Sequence, residues 1–91
     1  MLKVQLHKQA ADFLDKIPTK HARQIAERIG HMRTDPGSVL SEELKGFTPF
    51  RRMKSGEYRV IYFVENETLH IPVIGKRNDD DIYKQIARMR R

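Results

Sequence analysis

The side chains in this sequence best equipped for chemistry are basic: Arg51, Arg52, Lys54, Arg59, Lys76 and Arg77, joined by Tyr83 and preceded by Lys45. Guanidinium forks pair bidentately with phosphate oxygens, so the set suits a grip on a phosphodiester. Breaking RNA at such a bond without a metal has three requirements. The 2′-oxygen must lie in line with phosphorus, cations must offset the charge growing on the phosphate, and a base and an acid must move protons. Arginines meet the second requirement well but are poor bases, because their pKa exceeds about 12. A site made from them implies positional and electrostatic catalysis with a weak base.

Two of these residues have a plainer reading beside the chemical one. Arg59 precedes Ile61 and Phe63 by two and four positions, so on a strand its face is otherwise apolar. Its stem can lie buried with the head in water, or the head can reach a bound phosphate, and both roles stay open. Tyr83 adjoins Ile82, Ile86 and Met89, which define the buried stripe of a final helix and leave the tyrosine to one side. A half-exposed tyrosine beside arginines can stack on a base, which contributes about 1–3 kcal/mol.

Other chemistries lack their residues. The histidines His7, His21, His31 and His70 include no pair at helical i, i+4 spacing and no clustered carboxylate, so no metal site is expected. Asp79, Asp80 and Asp81 read as acids at a helix start, because EF-type ligand spacing is missing. No phosphate-binding glycine loop and no serine nucleophile elbow is present, and no cofactor is expected.

Composition narrows the setting. Eighteen Lys and Arg against twelve Asp and Glu give a net charge of +6 and a pI near 9.9, which favours polyanionic partners: nucleic acid, an anionic membrane face or an acidic protein. The excess sits in the second half of the chain. With 91 residues and no cysteine, one domain spanning 1–91 is expected, with a thin core, no disulfide staples and stability that a covering partner would raise. No signal peptide and no run of roughly 20 apolar residues appears, so a cytoplasmic protein with no membrane role is expected.

The elements that must carry the basic set follow from periodicity. Leu2, Val4 and Leu6 alternate with Lys3, Gln5 and His7 as in a half-buried strand. Ala10, Phe13, Leu14 and Ile17 follow helical spacing until Pro18 stops them. Thr19 is the expected N-cap of a second helix striped by Ala22, Ile25, Ala26, Ile29 and Met32, which Asp35-Pro36-Gly37 ends. The short connection makes the helices antiparallel. Residues 38–48 read as irregular. Phe50–Lys54 leads into a Ser55-Gly56 turn, Glu57–Glu65 is the strongest strand signal, and Asn66 turns the chain into a return strand over Thr68–Gly75. Pro72 requires either a bulge there or an N–H position facing away from a neighbour. Lys84, Arg88, Arg90 and Arg91 complete the final helix with basic charge. The expected architecture is α+β: an N-terminal strand, an antiparallel helical hairpin packed on a small antiparallel sheet in two layers, and a C-terminal helix.

Against that order, the run from Phe50 to Tyr62 (FRRMKSGEYRVIY), the Val73–Arg77 run (VIGKR), and Ile82-Tyr83 together resemble the RelE branch of the RelE/ParE toxin superfamily. Leu44-Lys45-Gly46 falls in family order as well, and the likeness covers the whole chain. It implies a RelE-like fold and the toxin of a type II toxin–antitoxin system. Such toxins enter the ribosomal A site and cut messenger RNA, leaving a 2′,3′-cyclic phosphate. An antitoxin with an acidic amphipathic segment is the implied partner, and oligomers are implied only through it. By position, Arg59 matches the arginine stabilising the phosphate, Arg77 the one acting on the leaving group, and Tyr83 the tyrosine that orients the nucleotide. Arg52 falls where the best-studied branch has a lysine as general base, and Lys54, on the same strand face, is the expected surrogate. Lys45, Arg51 and Lys76 are expected RNA contacts. Phe50 departs from the branch, where a lysine stands, and so does Asp79, where an arginine is common. Two other functions stay open: a ParE-like inhibitor of DNA gyrase, disfavoured by the Arg-plus-Tyr set, and a catalytically degenerate binder of RNA or antitoxin.

Overall fold

The computed structural model describes residues 1–78 and 80–89. In chain order they form β1 (Lys3–Leu6), α1 (Lys8–Lys16), α2 (Thr19–Thr34), a 3-10 turn (Pro36–Ser38), β2 (Ser41–Glu43), β3 (Arg51–Ser55), β4 (Tyr58–Glu65), β5 (Thr68–Lys76) and α3 (Asp81–Met89). The strands make one sheet in the order β1-β5-β4-β3-β2. The α+β class and the helical hairpin are as expected.

Three features differ from the sequence expectation. First, β1 runs parallel to β5, so the sheet is mixed rather than wholly antiparallel. Second, residues 38–48 include a strand, because Ser41–Glu43 pairs antiparallel with Arg51–Met53. Third, the helices cover both faces, giving three layers. Ala10, Ile25, Ile29 and Met32 pack with Met53, Tyr58, Val60, Tyr62, Leu69, Ile71 and Ile74 on one face. Ile82 and Ile86 pack with Leu44, Phe50, Ile61 and Val73 on the other. The first face is called the hairpin face below, the second the α3 face.

The division follows from β4, whose β-branched and aromatic residues suit a sheet covered on both sides. Tyr58, Val60 and Tyr62 alternate with Arg59, Ile61 and Phe63, and the first set faces the hairpin while Ile61 and Phe63 join the α3 cluster. Fully burying an aliphatic side chain such as Ile25 or Ile61, each 0% exposed, stabilises the fold by about 1.5–3 kcal/mol.

Local details position the strands. Ile61 opposes Val73, but Phe63 opposes His70, so β5 carries one extra residue between them. Pro72 lies in that bulge, where a missing ladder donor costs least. Asn66 and Glu67 both take positive φ, 52° and 61°, which a two-residue type I′ hairpin requires. Gly56, at φ +59°, makes the β3–β4 turn at the glycine position of a type II′ hairpin.

Smaller differences complete the comparison. Pro18, not Thr19, occupies the α2 cap position, and it has no side-chain cap bond to give. Ala26 is exposed beside the α2 stripe. Val4 and Leu6 are exposed because β1 is an edge strand. Met89 is 42% exposed rather than part of the α3 stripe. Asp79, Arg90 and Arg91, read as terminal charges of α3, lie outside the described residues. Past the end of β1, the side-chain amide of Gln9 takes its place beside β5: Ile74 N–H donates to Gln9 Oε1 (3.0 Å) and Gln9 Nε2 donates to Ile74 O (3.1 Å). Among the described residues, no helix is long and apolar enough to cross a membrane.

Candidate phosphodiester site

Antiparallel registers line up side chains in rows across a sheet face, and one row places Glu42, Arg52 and Ile61 side by side on the α3 face. The next row holds Lys54, Arg59 and Gly75. Gly75 contributes no side chain, so the second row ends beside Arg59 in bare backbone. Three cations and one carboxylate therefore share a small patch, leaving two net positive charges. Its apolar neighbours are Ile61 and Val73, buried under Ile82 and Ile86 of α3.

The packing of α3 sets Tyr83. Ile82 and Ile86 are buried at 3% and 0% exposure, which turns Tyr83 sideways towards β3. There Arg52 Nη1 donates to the tyrosine hydroxyl at 2.6 Å. Phe47 flanks the tyrosine, with ring centroids 6.3 Å apart and planes at 45°. The turn that presents Phe47 is closed by Phe47 N–H to Leu44 O (2.9 Å) and Phe50 N–H to Phe47 O (2.8 Å), and Gly46 within it takes φ +82°.

Arg52 is the pivot. Its Nη2 forms a hydrogen-bonded ion pair with Glu42 Oε1, while its Nε is buried with no acceptor among the described residues. The Glu42 carboxylate raises the Arg52 pKa, with a smaller contribution from Tyr83. Arg52 therefore stays cationic and cannot accept a proton. In return, the hydrogen bond from Arg52 holds the Glu42 carboxyl below its ordinary value, and the charges of Lys54 and Arg59 add to the effect. Glu42 is thus ionised at neutral pH inside a positive cluster.

Arg59 shows the first of its two expected roles, a stem laid on the sheet with its head at the surface. Its stem runs along the sheet and its head folds over the β3–β4 turn, where Nη1 donates to Tyr58 O (2.9 Å) and Gly56 O (3.1 Å). Its other N–H groups have no acceptor among the described residues, so they remain for an anion. Arg77 is exposed at the end of β5, and its backbone N–H donates to Glu57 O at 2.7 Å. Arg77 follows Lys76, the last residue of β5, and so borders the row of Arg59 and Gly75 without belonging to the strand.

The structure thus gathers Arg52, Lys54, Arg59 and Tyr83, with Arg77 at the margin and exposed Lys45 on the flanking turn. It sends the others elsewhere. Arg51 points to the hairpin face, where its Nε donates to Ser41 Oγ (3.1 Å) beside the Tyr62 hydroxyl (2.8 Å from the same oxygen). Lys76 opposes Tyr58, whose side chain also belongs to the hairpin face. Sequence reasoning missed Glu42 and Phe47. Only the β2–β3 pairing brings Glu42 to Arg52, and a three-residue strand without apolar alternation gives no warning of it.

No protein-family model matches the sequence, and no curated protein matches it. Solved structures do. Over 85% of this chain and 96% of that chain, it is 27% identical to a chain of the archaeal RelE–RelB complex from Pyrococcus horikoshii OT3, with a TM-score of 0.70. A mutant of the E. coli toxin RelE in the free state is 16% identical, covering 97% of this chain and 96% of that one at a TM-score of 0.81. The toxin–antitoxin complex RelBE2 of Mycobacterium tuberculosis gives 22% identity, coverages of 86% and 93%, and a TM-score of 0.72.

Proposed function

This chain is RelE-like in fold, and from that premise we propose that it is the toxin of a type II toxin–antitoxin pair that cuts messenger RNA in the ribosomal A site. The single observation that carries the reading is the cluster of Arg52, Lys54 and Arg59 in two adjacent rows of one sheet face, with the Tyr83 hydroxyl bonded to Arg52. Cations at fixed positions are what a phosphorane-like transition state needs, because they do not have to reorganise as charge develops. Solved relatives of this fold are RelB–RelE complexes, which supports a cognate antitoxin as partner, and a cytoplasmic setting is in keeping with both.

In the proposed reaction, Tyr83 orients the nucleotide and Arg59 takes the phosphate through its unused N–H groups. The phosphate also draws Arg52 away from Glu42. The 2′-oxygen then attacks phosphorus, the 5′-oxygen leaves, and a 2′,3′-cyclic phosphate forms. Arg77 offsets charge on the leaving 5′-oxygen, which takes a proton from water and departs as a hydroxyl. Two groups beside Arg52 are able to take the 2′-proton: Lys54, as the sequence suggests, and Glu42, which the fold adds. Glu42 is favoured on charge grounds, since the Arg52 hydrogen bond keeps its carboxyl ionised. No step asks for a metal, because the arginines supply the charge.

Primer extension on messenger RNA from translating ribosomes, with and without the protein, tests the reading. Cuts within A-site codons support it. Intact message with gyrase-dependent DNA breaks would replace it with gyrase inhibition, and neither effect would leave a non-catalytic binder. In the same assay, a loss greater in Glu42→Gln than in Lys54→Ala identifies the carboxylate as proton acceptor, and the reverse order identifies the lysine.

A further inference from the structure

At the other end of the same sheet face, two imidazoles meet across adjacent strands. Alternation along β1 brings Lys3, Gln5 and His7 to the α3 face, and Gln5 opposes His70. His7 Nε2 lies 3.5 Å from His70 Nδ1. That separation is at the outer limit of a hydrogen bond, so little is lost if the nitrogens turn to another partner.

The His7 backbone and the His70 ring are anchored. The His7 backbone N–H donates to Ile71 O at 3.1 Å, fixing the residue where β1 ends. The His70 ring stacks on Phe63, with centroids 4.7 Å apart and planes 10° from parallel, and Phe63 meets Phe50 edge-on at 5.2 Å. Beside them opens a hollow of about 570 Å3 lined by His7, Phe50, Phe63, Glu65, Pro72 and Met89.

We propose that His7 and His70 chelate a transition-metal ion of the imidazole-preferring kind, Cu2+ ahead of Zn2+, at the mouth of this hollow. The geometry suits it. With metal–imidazole bonds of ~2.0–2.1 Å, nitrogens 3.5 Å apart subtend roughly 113–122° at the ion, an angle that Zn2+ takes as a tetrahedron and that Cu2+, tetragonal by preference, takes as a flattened one. Glu65 and the Met89 thioether line the same hollow and offer an oxygen and a sulfur on its walls. Among the described residues no group of three or more His, Cys, Asp or Glu gathers, so the site is an open two-nitrogen chelate with positions left for water or a small ligand. Such a site follows the general affinity order in which Cu2+ exceeds Zn2+. An ion held there would tie the end of β1 to β5, and binding only the folded chain would raise its stability by mass action.

The test uses the purified full chain. Thermal melts are recorded with a chelator, with CuSO4 and with ZnSO4, and the Cu2+ form is examined by electron paramagnetic resonance. Cu2+ is expected to raise Tm by several degrees and to show imidazole nitrogen couplings. His7→Gln and His70→Gln should each weaken Cu2+ binding at least tenfold, while His31→Gln, altering an exposed histidine on α2, should leave it unchanged. If His70→Gln fails to fold without Phe63 stacking, His7→Gln and the spectrum still decide. An unchanged Tm in the wild type, a shift that survives His7→Gln, or a spectrum without nitrogen coupling overturns the proposal. Messenger RNA cleavage is not a readout here, so the outcome stands apart from the toxin reading.

Discussion

Arg52 Nη1 sits 2.6 Å from the hydroxyl oxygen of Tyr83, and this one hydrogen bond joins a strand of the sheet to the C-terminal helix at the centre of the cationic patch. It means that the phenol's position depends on the guanidinium and the guanidinium's on Glu42. The patch is a chain of three dependent side chains rather than a collection of independent cations.

Tyr83→Phe keeps the ring but removes the acceptor for Arg52. Messenger RNA cleavage on ribosomes is expected to fall tenfold or more, with circular dichroism and Tm nearly unchanged. Arg77→Ala, altering an exposed side chain, should cost a similar factor without loss of fold. Wild-type rates in either variant would show that these residues do not serve the reaction.

Glu42 gives a pH signature. Its folded-state pKa is lowered chiefly by the Arg52 hydrogen bond, so the stability it contributes is present above the unfolded value, about 4.3, and disappears as pH falls through the lower folded value. The Tm difference between wild type and Glu42→Gln should therefore be largest at neutral pH and shrink in acid below about pH 4. The difference will be small, because the Glu42 side chain is 53% exposed and water screens the pair. A gap that persists unchanged at pH 3 would mean the ion pair is not its source.

Two core truncations separate stability from site geometry. Ile86→Ala and Ile25→Ala each remove a side chain with 0% exposure and should each destabilise by about 2–5 kcal/mol in urea unfolding. Ile86 holds α3, and with it Tyr83, against the sheet, whereas Ile25 lies under the hairpin on the opposite face. Under conditions where both variants are folded, cleavage should drop markedly more in Ile86→Ala. Equal losses would argue that α3 does not position the phenol.

Antitoxin binding should carry the mark of charge. A chain of net charge +6 meeting an acidic amphipathic segment should associate more weakly as salt rises, since exposed charges are screened beyond about 8 Å at 0.15 M. Isothermal titration at 50 and 500 mM NaCl measures it. An affinity insensitive to salt would indicate a mainly apolar interface.

What the sequence disclosed was unequal. β4 was plain because Val60, Ile61, Tyr62 and Phe63 are β-branched or aromatic, and Pro72, lacking a donor, left a choice between a bulge and an unpaired position that the fold resolves as a bulge. β2 stayed hidden, since Ser41–Glu43 has no apolar alternation and becomes a strand only through its partner Arg51–Met53. With β2 unseen, Glu42 was unseen too. Periodicity also showed that Ile82 and Ile86 are buried but not against which face, so the third layer could not be foreseen. Arg51 and Arg52 look alike in sequence, yet neighbouring positions on a strand face opposite ways, and only one of the two enters the patch.

The side chain of Gln9, bonded to both backbone groups of Ile74, acts as a ladder rung where the shorter β1 has already turned away into α1. Without that rung the margin of β5 would present an unpaired donor and acceptor flanked by buried apolar residues, an open lip onto which a second copy could zip. A single side-chain amide thus closes this border of β5 where β1 has ended. It also leaves the outer side of β1, where Val4 and Leu6 are exposed, as the stretch of that margin still free to receive another strand.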